Sequence, residues 1–346
     1  MKIKTVDFIN EEMILIDQRK LPVEKVFFKT KNYKEGIFAI SDMIVRGAPA
    51  IGVVGAYTVY LAAKEFENID KNDFFYKMNL ACKEISKARP TAVNLMWAVK
   101  EQKKIIKKYE NQDISFICKK LLENANEIKK EDIKINKNIG NYGNELIDKN
   151  ATILTHCNAG ALATAGYGTA IGVIRSAHLS GKNIKVFADE TRPRLQGARL
   201  TAFELVEEGI PATLISDSVA ATLIRDKKID LIVVGADRIA SNGDTANKIG
   251  TYMLSEIAKK FEIPMYIAAP ISTIDFDIKN GKEIIIEERD KSEITHIKGV
   301  QIAPKEIDVY NPAFDVTPAE NITAIITEKG ILYPPFEESI SKLMKK

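Results

Sequence analysis

Cysteine is scarce in this sequence: only three occur among 346 residues, at positions 82, 118 and 157. Three is an odd number, and no two of them stand in a CxxC spacing. The pattern excludes a framework of disulfides and argues against a zinc knuckle. We therefore expect free thiols and a cytoplasmic location, where such thiols stay reduced.

The sequence also lacks a long apolar run and an excess of charge of one sign. Its richest apolar stretch, GALATAGYGTAIGVI, is interrupted by glycine and threonine and falls short of the roughly 20 residues of a membrane helix. The start, MKIKTVDFINEEM, has no apolar core of a secretory signal. Fifty Lys and Arg against 47 Asp and Glu give +3, too balanced to indicate nucleic acid or a membrane surface as the main partner.

Two halves of the chain differ in hydrophobic pattern. From about residue 38 to 147 the pattern is helical, with Pro49 as a start signal and Arg89-Pro90-Thr91 between two helices. After residue 150, helical stretches separate most of six β-branched runs: ATILTH, IKVFAD, ATLIS, LIVVG, MYIAA and TAIIT. This alternation predicts βαβ units and a parallel sheet. We predict an α/β fold: a small, mostly helical N-terminal domain, 1–125, and a doubly wound parallel-sheet domain, 126–346.

Ligands of open α/β sheets bind beyond the carboxyl ends of the strands, so the residues that follow the runs are candidates for a site. They are Cys157, Asn158, Asp189, Glu190, Asp217 and Asp237. Cys157 can be a small buried hydrophobe, or a reactive thiol if the following AGALATAG begins a helix whose amides favour a thiolate. Its position favours the reactive thiol. A shared metal ion with His156 is disfavoured because adjacent strand residues point to opposite faces.

Asp237 follows three apolar residues and a glycine in VVGAD. It can be a turn or capping residue, or an acid that apolar surroundings keep protonated near neutral pH. The sequence alone leaves both interpretations open.

Three positive groups could bind a phosphate. They are Arg46 before Gly47-Ala48-Pro49, Arg89 before Pro90, and Lys248 beside Asn247; the first and last stand near predicted helix starts, which attract anions. The glycines of GYGTAIG resemble part of a dinucleotide fingerprint. However, they fall inside the predicted helix instead of at the strand-to-helix turn, so we do not predict NAD binding.

Long motifs in this sequence carry a family resemblance over almost its whole length. They are RGAPAIG (46–52), RPTAVNLMWA (89–98), LTHCNAGALATAGYGTAIGVIR (154–175), ADETRPRLQGARLTAFEL (188–205), VGADRIASNGDTANKIGTY (234–252), APISTID (269–275), IEERD (286–290) and NPAFDVTPAENITAIITEKG (311–330). In these motifs the chain closely resembles the methylthioribose-1-phosphate isomerases.

The resemblance implies an aldose-ketose isomerase of a 5-substituted ribose 1-phosphate, acting in methionine or 5-deoxyribose salvage. It implies a Rossmann-like second domain, a homodimer, and neither a cofactor nor a metal. The catalytic pair it implies is Cys157 and Asp237. The substrate-binding residues it implies, from both domains, are Arg46, Gly47, Ala48, Arg89, Gln196, Asn247 and Lys248.

One segment departs from the family pattern. After ATLI the family usually has an aspartate followed by Asn or Ser, Met and Ala, whereas this chain has Ser216 to Ala220 as SDSVA. Because this methionine is missing, the sequence does not decide whether the preferred substrate is 5-methylthioribose 1-phosphate or 5-deoxyribose 1-phosphate. Two alternatives remain: a ribose-1,5-bisphosphate isomerase, and a non-enzymatic regulatory subunit of a translation initiation exchange factor.

Overall fold

A computed structural model describes residues 3–90 and 92–344. The described chain forms two compact units. The first runs to Ile135 and also takes in Gly160–Gly168; the second comprises Asn136–Ala159 and the chain from Thr169 onward. The predicted division at 125 and 126 falls within one long helix, ten residues before this change of unit, and the assignment of 1–125 and 126–346 as domains stays a prediction.

The first unit contains the helices that its apolar pattern predicts, together with a small antiparallel sheet. The strands are β1 (Val6–Ile9), β2 (Glu12–Ile16) and β3 (Phe27–Thr30), and the helices are α1 (Tyr33–Ser41), α2 (Ala48–Glu65), α3 (Lys71–Lys87), α4 (Val93–Lys108) and α5 (Ile114–Glu145), which continues into the second unit. Helix α2 is buried on all sides from Ala50 to Ala63 because its side chains are apolar or small, and α1, α3 and α4 pack around it.

The second unit is built on a seven-stranded sheet. Its strands in chain order are β4 (Thr152–Thr155), β5 (Lys185–Asp189), β6 (Ala212–Ile215), β7 (Leu231–Val234), β10 (Met265–Ala268), β15 (Ala324–Thr327) and β16 (Gly330–Leu332). Their order in the sheet is β16-β15-β10-β7-β4-β5-β6, and all neighbours are parallel except β15 and β16. The six predicted strands are confirmed.

Helices connect most of these strands, and smaller sheets follow the main one. The helices are α6 (Ala170–Leu179), α7 (Ala202–Glu208), α8 (Val219–Arg225), α9 (Thr251–Lys260), α10 (Ser292–Thr295) and α11 (Phe336–Met344). A four-stranded sheet contains β8 (Arg238–Ala240), β9 (Thr245–Lys248), β11 (Ile274–Asp275) and β14 (Phe314–Thr317), and β12 (His296–Ile297) pairs with β13 (Val300–Gln301). The sequence pattern did not predict these short strands.

The strand order places a crevice at the centre of the large sheet. The chain proceeds outward from β4 through β5 to β6, then returns to β7 on the other side of β4 and continues outward. In sheets of this topology the ligand crevice lies at the carboxyl ends of the two strands where the direction reverses. Here those strands are β4 and β7, which precede Cys157 and Asp237.

The segment after β4 does not form the predicted helix. Only Ala161–Ala163 is helical, as a single 3-10 turn, and α6 begins at Ala170. Gly160 and Gly168 pair with each other, and Gly168 has φ of +84° with no room for a side chain against the Gly160 backbone. This pairing closes residues 160–168 into a loop that belongs to the first unit. The packing of the loop there overrides the helix predicted after β4.

Among residues 3–90 and 92–344, no helix is both long enough and apolar enough to cross a membrane.

Candidate active site

Cys157 lies two residues beyond β4 in a strained turn. Its φ is +63°, a region that non-glycine residues rarely adopt. Two threonine hydroxyls hold the turn: the Cys157 N–H donates to Thr191 Oγ1 at 2.8 Å, and Thr201 Oγ1 donates to the Cys157 carbonyl at 2.6 Å. Backbone strain of this kind is retained only where surrounding contacts enforce it, which is common at functional sites.

The three cysteines differ in their surroundings. Cys82 and Cys118 are buried, and burial raises the pKa of the Cys82 thiol to about 11 and that of Cys118 to about 12. Both fit the interpretation as small hydrophobes. Cys157 is only half-buried, so of the three thiols it is the one that reagents can reach.

The expectation that a following helix activates Cys157 is wrong. No α-helix starts at residues 158–169, all of which the structure describes, and α6 begins 13 residues after the thiol. The unpaired amides at the start of α6 therefore do not lie directly after Cys157, where the sequence predicted a helix start. The turn itself, and not a helix N-terminus, gives Cys157 its position.

His156 is a buried link between strand ends. Its Nδ1 lies 2.8 Å from Asp189 Oδ2, and its Nε2 lies 2.8 Å from the Ile249 carbonyl. A carbonyl oxygen only accepts, so Nε2 carries a proton, and the Nδ1 contact shares one more proton with Asp189. Burial acts to lower the pKa of His156, but the Asp189 carboxylate outweighs it and the pKa is raised; burial also raises the pKa of Asp189.

Within the described residues, one group of side chains has the spacing of metal ligands. It consists of His156, Asp189 and Asp217, with ligand atoms within 4.8 Å of one another. Both His156 nitrogens are already hydrogen-bonded, and the two Asp217 oxygens accept the amides of Thr191 and Arg192 at 2.7 and 2.8 Å. These contacts suit a structural network better than an ion site.

Asp237 follows β7 and opens the β8–β9 hairpin. Its N–H donates to the Ala246 carbonyl at 2.9 Å, and the next residue, Arg238, pairs with Ala246. Asp237 is exposed, which does not match the interpretation of an acid enclosed by apolar side chains, one of the two that the sequence left open.

The ends of β4 and β7 touch. A Cβ built on Gly235 would lie 2.7 Å from the Ala159 Cβ, so only glycine fits there. Ala159 is two residues from Cys157 and Gly235 is two residues from Asp237. The predicted catalytic pair therefore stands on adjoining strand ends at the point where the strand order reverses.

Asn247 and Lys248 lie on β9, and Lys248 precedes Thr251, the first residue of α9, by three residues, so it stands near a helix start as predicted. Asn247 is buried and donates to Thr251 Oγ1 at 3.0 Å. Lys248 Nζ donates to the Ala313 carbonyl at 2.7 Å and lies 4.3 Å from the centre of the Phe314 ring. Both side chains are fixed within the second unit, close in sequence to the start of α9.

The predicted anion site at the start of α9 is already filled by a carboxylate. Asp315 accepts from the amides of Gly250 and Tyr252 at 2.7 and 3.0 Å. These amides lie at the helix N-terminus and are therefore not available to a phosphate. Burial raises the pKa of Asp315 although both amide contacts act to lower it.

Gln196 lies at the entry of a π-helical turn, Gly197–Thr201, that leads into α7. Its Oε1 is buried with no hydrogen-bond partner among the described residues. Gly197 packs so tightly that a Cβ there would lie 1.6 Å from the Asp189 carbonyl. An acceptor held in this way is suited to a hydroxyl of a sugar.

The remaining predicted residues belong to the first unit. Gly47 caps α2 with φ of +92°, and Ala48 is the first helical residue, which confirms the predicted helix start. A Cβ on Gly47 would lie 2.3 Å from the Ala163 carbonyl. Arg46 and Arg89 are partly buried, and Arg89 lies between α3 and α4 where a break was predicted, although Thr91 falls outside the described residues.

The sequence interpretation missed several contacts of this site. Thr191 and Thr201, which hold the Cys157 turn, carried no signal beyond lying in long motifs. The buried contacts of His156 were also not predicted, although the residue stands beside Cys157.

Comparison with known proteins identifies the family. A model of the initiation factor 2 subunit family matches residues 44–334. A methylthioribose-1-phosphate isomerase of Thermoanaerobacter sp. (strain X514) is 64% identical over 342 residues, covering 99% of each chain. The chain belongs to the methylthioribose-1-phosphate isomerase family. It is therefore an enzyme of the isomerase class, as predicted.

A second relative and two solved structures are also similar to this chain over nearly its whole length. The relative from Caldanaerobacter subterraneus subsp. tengcongensis is 62% identical, again over 99% of both chains. The crystal structure of 5-methylthioribose 1-phosphate isomerase from Pyrococcus horikoshii OT3 matches with a TM-score of 0.96 at 42% identity, covering 99% of this chain and 96% of that one. A structure described as the translation initiation factor eIF-2B subunit delta from A. fulgidus matches with a TM-score of 0.93, also at 42% identity, covering 99% and 100%.

Proposed function

We propose that the protein converts 5-methylthioribose 1-phosphate to 5-methylthioribulose 1-phosphate, a step of methionine salvage. The observation that carries this proposal is the placement of Cys157 and Asp237 on the touching ends of β4 and β7. The identity of 64% to a full-length isomerase supports it. A thiol and a carboxyl at a crevice of this kind suit proton transfer on a sugar.

The substrate explains why an acid is needed. The anomeric oxygen carries the phosphate, so the ring cannot open as a free hemiacetal does. In our proposal Asp237 protonates the ring oxygen. Because Asp237 is exposed in the structure, the bound sugar in our proposal has to exclude water from its carboxyl and so favour the protonated form.

Cys157 is the proposed group for the hydrogen transfer. Hydrogen has to leave carbon 2 and arrive at carbon 1 to turn the aldose into the ketose. A thiolate can take a proton from carbon 2, which leaves an enol that is then protonated at carbon 1. A direct hydride shift would give Cys157 a different role. Product formed in D₂O carries deuterium at carbon 1 only in the first route.

We propose that seven residues bind the substrate. They are Arg46, Gly47, Ala48, Arg89, Gln196, Asn247 and Lys248. The arginines and lysine would hold the phosphate, which provides binding energy away from the reacting bonds. The buried Gln196 Oε1 without a described partner supports a sugar contact there.

A second substrate, 5-deoxyribose 1-phosphate, is favoured by the segment Ser216 to Ala220. This segment lacks the family methionine, and its Asp217 supports the turn beside Cys157 through the amides of Thr191 and Arg192. A change of side chains beside this turn can alter the space for the 5-substituent. We therefore expect turnover of 5-deoxyribose 1-phosphate beside that of 5-methylthioribose 1-phosphate.

The decisive experiment measures kcat/KM for the 5-methylthio, 5-deoxy and 5-phospho sugars side by side, with EDTA and without nucleotide. Specificity is a ratio of these values, so one protein preparation suffices. We expect turnover of the first two and a much lower value for the 5-phospho sugar. A preference for the 5-phospho sugar would favour the bisphosphate isomerase, and no turnover by folded protein would favour the regulatory subunit.

We further propose that the enzyme is a homodimer located in the cytoplasm and needs neither a metal nor a cofactor. Val300, Ile302 and Tyr310 in the second unit are 66%, 55% and 78% exposed, and contact with a second copy would remove such apolar surface from water. Light scattering should give twice the chain mass of 38.6 kDa.

A further inference from the structure

Cys157 and Thr191 share an unusual backbone geometry at neighbouring strand ends. Their φ angles are +63° and +64°, and Thr191 is β-branched, for which such a conformation is an outlier. We propose that Thr191, Thr201 and Asp217 are positioning residues that fix the direction of the Cys157 thiol. This proposal rests on the proposed function, in which that thiol carries the hydrogen transfer.

Thr191 holds the amide side of Cys157. Its Oγ1 accepts from the Cys157 N–H at 2.8 Å and donates to the Asp189 carbonyl at 3.1 Å. Asp217 holds Thr191 in turn, because its two carboxylate oxygens accept from the amides of Thr191 and Arg192 at 2.7 and 2.8 Å. Asp217, which follows β6, thereby holds the strained turn at Thr191 after β5. Thr191 in turn accepts the hydrogen bond from Cys157 in the turn after β4.

Thr201 holds the carbonyl side of Cys157. Its Oγ1 donates to the Cys157 carbonyl at 2.6 Å and accepts from Asn158 Nδ2 at 3.1 Å. The same Asn158 amide donates to Glu204 Oε1 at 3.0 Å, and Glu204 is fully buried beside Arg175. The carbonyl end of the turn is therefore tied to a buried charged network.

Both backbone polar groups of Cys157 are thus bonded to hydroxyls, and this fixes the Cα–Cβ direction. The three positioning residues are separate from the seven proposed substrate ligands. A catalytic group misplaced by about 1 Å costs on the order of 10²-fold in rate. Loss of a positioning hydroxyl should therefore lower kcat and leave KM nearly unchanged.

The test compares Thr201→Val with Thr201→Ser. Valine keeps the shape without the hydroxyl, and serine keeps the hydroxyl. We expect Thr201→Val to lower kcat by about 10²-fold with little change of KM, and Thr201→Ser to restore most of it. The matched control is Thr58→Val in the first unit, which removes a buried hydroxyl that donates to the Val54 carbonyl at 2.7 Å; it should keep the parent kcat.

A second measurement does not depend on turnover. Because burial raises the pKa of Cys82 to about 11 and of Cys118 to about 12, iodoacetamide at pH 8 should modify Cys157 before the other two. Mass spectrometry of the Cys157 peptide then gives its alkylation rate. We expect Thr201→Val to change that rate severalfold and Thr201→Ser to leave it near the parent value.

The two measurements separate failure of this proposal from failure of the proposed function. An unchanged alkylation rate in Thr201→Val overturns the positioning role, whatever the turnover. A changed rate with unchanged kcat supports the positioning role and counts against catalysis by Cys157. If Thr201→Val does not fold, Thr191→Val and Thr191→Ser test the amide side of the same turn by the same measurements.

Discussion

At the scale of single residues, Gly250 in the second unit is required because the His156 ring occupies the space that a side chain would need. Gly250 has φ of +103°, and a Cβ there would lie 3.0 Å from His156 Cε1. The imidazole occupies this space because it bonds both Asp189 and the Ile249 carbonyl. Gly250 therefore lets His156 connect the end of β4 to the turn that follows Lys248.

We expect Gly250→Ala to lower the free energy of unfolding by about 1–3 kcal/mol, because it adds backbone strain and a contact with His156. Gly181→Ala is the matched control, since Gly181 also has positive φ, +73°, but has open space at its Cβ position. Urea unfolding of both variants separates the two effects. Equal losses would show that His156 does not constrain this position.

At the same scale, the sequence predicted the identity of candidate residues better than their surroundings. Cys157 and Asp237 were found because they follow β-branched runs, and that rule depends only on local pattern. The hydroxyls of Thr191 and Thr201 lie 34 and 44 residues from Cys157 in the chain. Contacts over such separations depend on the fold and cannot be read from local pattern. The exposure of Asp237 also depends on the fold, so it was not predicted either.

At the scale of elements, one ion pair joins strand β1 to helix α5 within the first unit. Lys129 Nζ lies 2.7 Å from Asp7 Oδ1, and each side chain is 21% exposed. Burial acts to raise the pKa of Asp7, but Lys129 and the Phe8 amide outweigh it, so the pKa is lowered. A lowered pKa means that the carboxylate stabilises the fold above the unfolded-state pKa and loses this effect as the pH falls through the folded value.

We expect Asp7→Asn to lower the free energy of unfolding at pH 7 by about 1 kcal/mol. The difference from the parent protein should shrink as the pH falls below about 4, where the parent carboxylate becomes protonated. Glu127→Gln is the control, since its pair with Lys130 is long, 3.7 Å, and exposed. A difference for Asp7→Asn that does not vary with pH would contradict the ionic explanation.

Elements were predictable where local pattern and tertiary structure agree. The start of α2 at Gly47 and Pro49 and the six parallel strands follow from capping and alternation. The stretch after Cys157 has a helical pattern, yet Gly160–Gly168 packs within the first unit and forms one 3-10 turn. Propensity there is overridden by contacts that the sequence does not reveal.

At the scale of the whole molecule, the strand order brings the two predicted catalytic residues to neighbouring strand ends. Alternating strands and helices predicted a parallel sheet, but not which strands are neighbours. The observed order makes β4 and β7 adjacent, so residues 80 positions apart stand on touching strand ends. The family resemblance named the same two residues independently of this order.

The most direct test of the account is the steady-state turnover of 5-methylthioribose 1-phosphate by the parent protein, Cys157→Ser and Asp237→Asn. We expect the parent to form the ribulose 1-phosphate product, and each variant to lose about 10²-fold or more in kcat while melting near the parent temperature. Full activity in either well-folded variant would contradict the assignment of Cys157 and Asp237 as the catalytic pair.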